Sequence, residues 1–155
     1  MDELRVPKRR VAAEVLLAGG LRRRIVLFLA EAAPGHAGPE RPLDLLTGGG
    51  EFVPALDEEA QATTFLSREA IAVLRVARTD PEPEELSSDA EHAVEVHLRD
   101  GVVLRGVVSY VRPPGRARLL DFLNEPVPWF RLAEGGDVAL VSKRHVAHVA
   151  LTKGR

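Results

Sequence analysis

The sequence predicts a mostly β protein made of two tandem copies of a small, five-stranded, strongly bent antiparallel barrel. Three observations predict it: the chain resembles itself after a shift, apolar residues recur at a spacing of two, and turn residues bound the runs at short intervals. Shifted by 81 positions, Ala12-Ala-Glu-Val-Leu-Leu-Ala-Gly-Gly20 aligns with Ala93-Val-Glu-Val-His-Leu-Arg-Asp-Gly101, with five of the nine positions identical. At 77, Leu43-Asp-Leu-Leu-Thr47 falls on Leu120-Asp-Phe-Leu-Asn124, and at 75, Phe65–Leu74 falls on Leu140–Val149. The falling offset puts extra residues of the first copy around Pro34–Pro39 and Asp57–Glu59, where loops tolerate insertion.

The copies are expected to occupy 1–78 and 92–155, joined by an acidic, proline-containing linker over 79–91. In the second copy Val94, Val96 and Leu98 alternate with Glu95, His97 and Arg99, the pattern of a half-buried strand, and Asp100-Gly101 signals a tight hairpin. Val102–Val111 reads as a long second strand in which Gly106 marks a bulge or sharp bend, closed by Pro113-Pro-Gly115. Leu119–Leu123, Trp129–Leu132, Val138–Val141 and His145–Leu151 read as further short extended segments. Two such units packed side by side fit the length, and a single ten-stranded sandwich is the other arrangement open to it.

Composition narrows the functional classes. The chain is 45% hydrophobic and 28% charged, as in a globular protein, but only 5% aromatic, so its core must be mainly Val, Leu, Ile and Ala with Trp129 and a few Phe as large fillers. A net charge of −2 removes the global attraction common in nucleic-acid binders, so any such binding is local. No cysteine is present, which excludes disulfides, thiolate metal sites and a cysteine nucleophile. No segment reaches the roughly 18 uninterrupted apolar residues of a membrane span. The expectation is a bacterial, cytoplasmic protein with no membrane partner and no cofactor. Arginine outnumbers lysine 18 to 3, which inflates apparent Arg motifs.

The second copy resembles the Sm-like barrel proteins. Val94-Glu-Val-His-Leu-Arg-Asp-Gly-Val-Val-Leu-Arg-Gly-Val-Val108 is similar to that family's first motif, Asp121-Phe-Leu-Asn124 to a shortened form of its ligand-loop signature, and Ser142–Val149 to its last two strands, with Lys143-Arg144 where the family has Arg-Gly. The resemblance spans 93–151, with a weaker echo over 12–76. It implies five-stranded barrels that associate edge to edge and often bind single-stranded RNA. From the residues themselves, Asn124 can hydrogen-bond a base edge and Lys143 and Arg144 can hold a phosphate, while Asp121 and Asn124 can equally cap a turn. The first copy has lost most of these polar groups.

Arg116 and Arg118, with Arg112, form a loop cluster that can bind an anion or a partner. Arg22-Arg-Arg24 lies in a strand, where its side chains alternate faces. His145 and His148, three apart on a strand, face opposite ways and cannot share a metal. Asp57-Glu-Glu59 reads as solvated loop charge and Gly48-Gly-Gly50 as a flexible loop. A remote alternative is the PilZ domain, a cyclic dinucleotide binder: Arg5, Arg9, Asp44 and Gly49 are similar to its motif, but Leu46 stands where it has Ser. The expected function is therefore non-enzymatic binding or scaffolding. The candidate residues are Asp121, Asn124, Lys143, Arg144, Arg116 and Arg118, the partner is single-stranded RNA or a nucleotide or else another protein, and free strand edges invite self-association.

Overall fold

The computed structural model describes residues 8–31, 38–78, 90–110 and 118–152. The protein is mostly β, a single open antiparallel sheet of ten strands. The strands are β1 (Lys8–Leu17), β2 (Arg22–Ala30), β3 (Phe52–Asp57), β4 (Ala62–Ser67), β5 (Ile71–Ala77), β6 (Ala90–Leu98), β7 (Val103–Tyr110), β8 (Trp129–Glu134), β9 (Asp137–Ser142) and β10 (Val146–Leu151). Helix α1 (Pro42–Thr47) precedes β3 and helix α2 (Leu119–Leu123) precedes β8, while 3₁₀ turns at Arg68–Ala70 and Lys143–His145 precede β5 and β10. The strand order is β10-β6-β7-β8-β9-β5-β1-β2-β3-β4, so β10 and β4 are its edges. No helix among the described residues is long and apolar enough to cross a membrane.

The spacing of two found in the sequence sets which side chains meet. In β2, Ile25, Leu27 and Leu29 are buried while Arg22 and Arg24 stand in solvent; in β6, Val94, Val96 and Leu98 are buried. Gly101 has φ +96° at the turn after β6, a conformation that L side chains rarely adopt, and Asp100 Oδ1 accepts from the Val102 N–H at 3.1 Å. The halves then agree in register. Glu14 faces Arg24 and Glu95 faces Arg105; Val26 faces Leu56 and Val107 faces Ala133; Phe52 faces Ser67 and Trp129 faces Ser142. The bulge also repeats, leaving Ala72 unmatched opposite Leu16/Leu17 and Ala147 unmatched opposite His97/Leu98.

Two apolar cores lie on opposite faces of the sheet where the halves join. The first collects Val15, Ile25, Leu27, Leu29 and Leu74; the second collects Val94, Val96, Leu104, Val108 and Leu132. β9 pairs with β5, Val73 facing Val141 and Leu74 facing Leu140. Because side chains alternate, Val138 and Leu140 enter the first core and Ala139 and Val141 the second; β5 likewise sends Leu74 to one and Val73 to the other. Both faces of this pair are covered, which is why these strands read as continuous apolar runs.

Four expectations are corrected. Leu119–Leu123 is a helix, not an extended segment, because Leu119, Phe122 and Leu123 share one helical face and pack against the second core. The ten strands do not form a sandwich: the β5–β9 ladder joins the two halves edge to edge in one sheet. Asp57 is not solvated loop charge. It is buried at the end of β3, accepts the N–H groups of Glu59 and Ala60 at 2.9 and 3.0 Å, and pairs with Arg23 at 2.9 Å. His145 lies in a 3₁₀ turn, and His148 stacks on His97 across the β6–β10 pair, centroids 4.1 Å apart. β6 also begins at Ala90, ahead of the expected 92, and most of the linker lies outside the described residues.

At Gly106 β7 passes close to β8: a Cβ there would sit 2.3 Å from the Ala133 carbonyl oxygen and 2.8 Å from Leu132 Cγ. Gly106→Ala is expected to lower stability in urea melts by about 2 to 4 kcal/mol. Gly49→Ala, with nothing within 4 Å, should shift it by less than about 0.5 kcal/mol. Asp57 supplies a pH test. The Ala60 N–H above all, then Arg23 and the Glu59 N–H, hold its carboxyl below the usual range against the opposing effect of burial. A depressed carboxyl contributes stability above its unfolded value, about pH 4, and loses it as pH falls through the folded value. The melting temperature of Asp57→Asn should therefore lie below that of the native chain at neutral pH and converge on it below about pH 4.

Candidate functional site

The candidate residues lie at one end of the second half, where α2 leads into β8 and the 3₁₀ turn leads into β10. Leu119–Leu123 forms a single short turn, and the Asn124 N–H that follows donates to the Leu120 carbonyl at 3.0 Å, which makes Asn124 the residue that closes the helix. Asp121 sits in the first turn and receives Arg118 on both oxygens at 3.3 Å. The first half repeats the arrangement: Arg41 precedes α1, and its N–H donates to Asp44 Oδ2 at 2.8 Å.

Lys143 is tied at two points. Its N–H donates to the Pro128 carbonyl at 2.9 Å and its Nζ to the Glu125 carbonyl at 2.8 Å, and partial burial lowers the ammonium pKa. At the matching position of the first half, Arg68 donates to the Leu45 carbonyl at 2.9 and 3.1 Å and to the carbonyls of Gly49 and Gly50. In both halves the basic residue before the last strand braces the helix-to-strand connection, and Gly48-Gly-Gly50 is held by that cation. Arg144 turns the other way, across the junction, to Glu69 at 3.4 Å, and His145 Nε2 donates to the Glu69 carbonyl at 2.7 Å.

The structure thus sets Lys143 Nζ on the carbonyl of Glu125, the residue after Asn124, pairs half-buried Asp121 with exposed Arg118, and directs Arg144 at the first half. Arg116, Arg112, Arg5 and Pro113-Pro-Gly115 lie outside the described residues. Arg23 turns toward Asp57 while Arg22 and Arg24 face solvent. Among the described residues no group of three or more His, Asp or Glu could hold a metal ion.

Two features went unread in the sequence. The first is a cleft of about 240 Å3 between the halves, walled by Leu43, Val76, Trp129, Val138 and Leu140. The second is a set of exposed large apolar side chains at the sheet's two ends: Phe52 and Phe65 beside the β4 edge, Leu151 on β10 and Leu120 on α2. The offsets 77 and 75 were the signal for both, since they match Phe52 with Trp129, Phe65 with Leu140, Leu120 with Leu43 and Leu151 with Val76. Compared with protein-family models, curated proteins and solved structures, the chain matches none.

Lys143→Met is expected to cost about 1 kcal/mol through the Glu125 carbonyl it leaves without its donor. Arg144→Ala, which removes an exposed ion pair, should cost less than about 0.5 kcal/mol. Thermal melts of the two variants beside the native chain check both.

Proposed function

We propose that the chain is a non-enzymatic scaffolding protein built from two Sm-like barrel repeats, and that it assembles end to end through the free edges β4 and β10. The reading is supported by the repeated strand order: the first half runs β5-β1-β2-β3-β4 and the second β10-β6-β7-β8-β9. Repeated registers and a repeated bulge support an origin by duplication. The barrel assignment and its family rest on the sequence resemblance.

One observation carries the assembly. At the internal junction Trp129 and Leu140 of the second half are buried, with Leu43 and Val76 of the first half packed against the same core. Their counterparts Phe52, Phe65, Leu120 and Leu151 are the exposed ones: Phe65 is 67% accessible where Leu140 is 4%. Each end of the sheet therefore displays one half of a contact that the chain makes internally, and β4 and β10 each have a strand neighbour on one side only among the described residues. Continuing the internal register would set Phe65 of one copy opposite Val149 of the next. The open sheet becomes a repeating one, either closed into a ring or extended.

A protein partner, here another copy, accounts for these surfaces better than RNA does. Lys143, Asp121 and Arg144 each already have a partner within the chain. A second reading, RNA or nucleotide binding, keeps one favourable observation, the placing of Asn124 and Lys143 around the same connection.

Light scattering on the eluting protein tests the assembly. The native chain is expected to run as multiples of its 16.9 kDa mass. Phe65→Asp combined with Leu151→Asp should give a folded particle of a single chain, because charges at both ends oppose burial. A native chain that stays a single particle at about 100 µM, well above the Kd expected of a stable apolar interface, would reject the reading.

A further inference from the structure

We infer that the end-to-end assembly is gated by pH through His148, which the free edge β10 presents to the next copy: chains join when its imidazole is neutral and part when it is charged. The inference rests on the end-to-end reading and adds a regulator to it. The repeat places the residue. With the internal junction as the pattern, β10 stands for β5 and β4 for β9, so His148 takes the place of Val73, His97 that of Leu16 and Leu66 that of Val141. Leu16 pairs with Val73, and both are buried in the second core, 3% and 1% exposed. His97 pairs with His148 in the same way, their rings stacked at 14°, and His148 stands in solvent. Two imidazoles thus occupy, at the outer end, the place of two aliphatic side chains that the inner junction buries.

Histidine is the side chain whose charge ordinarily changes between about pH 5 and 8, and a charge taken out of water without a partner is costly. In its own chain His97 Nε2 lies 3.2 Å from Glu95 Oε1, and Glu95 also takes Arg105 of β7 at 2.9 Å. No hydrogen bond or ion pair involves the His148 ring among the described residues. On the next copy the charged groups of β3, β4 and the 3₁₀ turn after them are Asp57, Arg68 and Glu69, bound to Arg23, the Leu45 carbonyl and Arg144 in turn. Opposite His148 itself the continued register sets Leu66, which is buried. A neutral ring enters such a contact at small cost. An imidazolium would leave water to face leucine, and a charge on His97 as well would set two cations ring on ring.

Light scattering on the full chain over a dilution series, at about pH 7.5 and about pH 5.5, tests the switch, with a thermal melt at each pH to follow the fold. The native chain is expected to assemble at the higher pH and to show a Kd at least about tenfold larger at the lower. His148→Val, which copies the inner pair, should keep its Kd within about twofold between the two. His148→Lys, at a position exposed in the single chain, is charged at both and should weaken assembly at least about tenfold at the higher pH already. If the melt shows the native chain unfolded at the lower pH, the His148→Lys result decides. A native chain that assembles equally well at both, a His148→Val chain that keeps the native pH dependence, or a His148→Lys chain that assembles as tightly as the native one would overturn the switch and leave the end-to-end reading in place. A native chain that stays single at both pH values fails that reading, and the switch with it.

Discussion

The β5–β9 ladder is the constraint on which the rest of the molecule depends. It joins strands from opposite halves, and alternation of side chains makes it a shared wall: Leu74, Val138 and Leu140 close one core, Val73, Ala139 and Val141 the other. Neither core is complete without strands from the other half. Trp129 and Leu140 seal the first, and Leu16 and Val73 do the same for the second. The cleft exists because this wall brings β5, β8 and α1 together at its open end.

A charge network spans the same junction. Arg75 of β5 reaches Glu134 of β8 through both carboxylate oxygens, at 2.6 and 3.1 Å, and Glu14 of β1 through its remaining nitrogen. All three side chains are largely covered. Desolvating such a triad costs about as much as its attraction returns, so its effect lies less in net stability than in register. A one-residue slip of β5 against β9 would turn Arg75 into the core and leave two half-buried carboxylates without their cation. The bidentate fork therefore selects the alignment that the apolar contacts then stabilise.

Much of this was legible in the sequence because strands reveal themselves locally. The alternation of Val94, Val96 and Leu98 gave the face of β6 and Asp100-Gly101 gave its hairpin, whereas Gly106, expected at a bulge or bend, pairs in unbroken register with Val94 and lies instead against the Ala133 carbonyl. The three offsets agree with the observed strand pairings. What escaped was set by length or by long-range contact. Five residues from Leu119 to Leu123 cannot distinguish a helical face from a short apolar strand. Asp57 is paired with Arg23, which lies far away in sequence. For the candidate residues, type and place were legible, but not their partners: nothing local to Lys143 shows that its ammonium meets the Glu125 carbonyl, or that Arg144 faces Glu69.

Comparing the internal junction with the two ends indicates how strong an end-to-end contact would be. The apolar parts have counterparts, Phe52 and Phe65 on one edge, Leu151 and Leu120 on the other. The charged part does not. Ala150 stands on β10 where β5 has Arg75, and Asp57 stands on β3 where β8 has Glu134, already held by Arg23 and two backbone N–H groups. A contact between copies would thus combine strand pairing with apolar burial but lack the fork that fixes register within the chain. His148, opposite Leu66 in the continued register, stands where Val73 faces Val141. Under the proposed assembly the outer contact would then be weaker and less strictly aligned than the inner one, and the whole chain, not one half, would be the unit that adds and leaves.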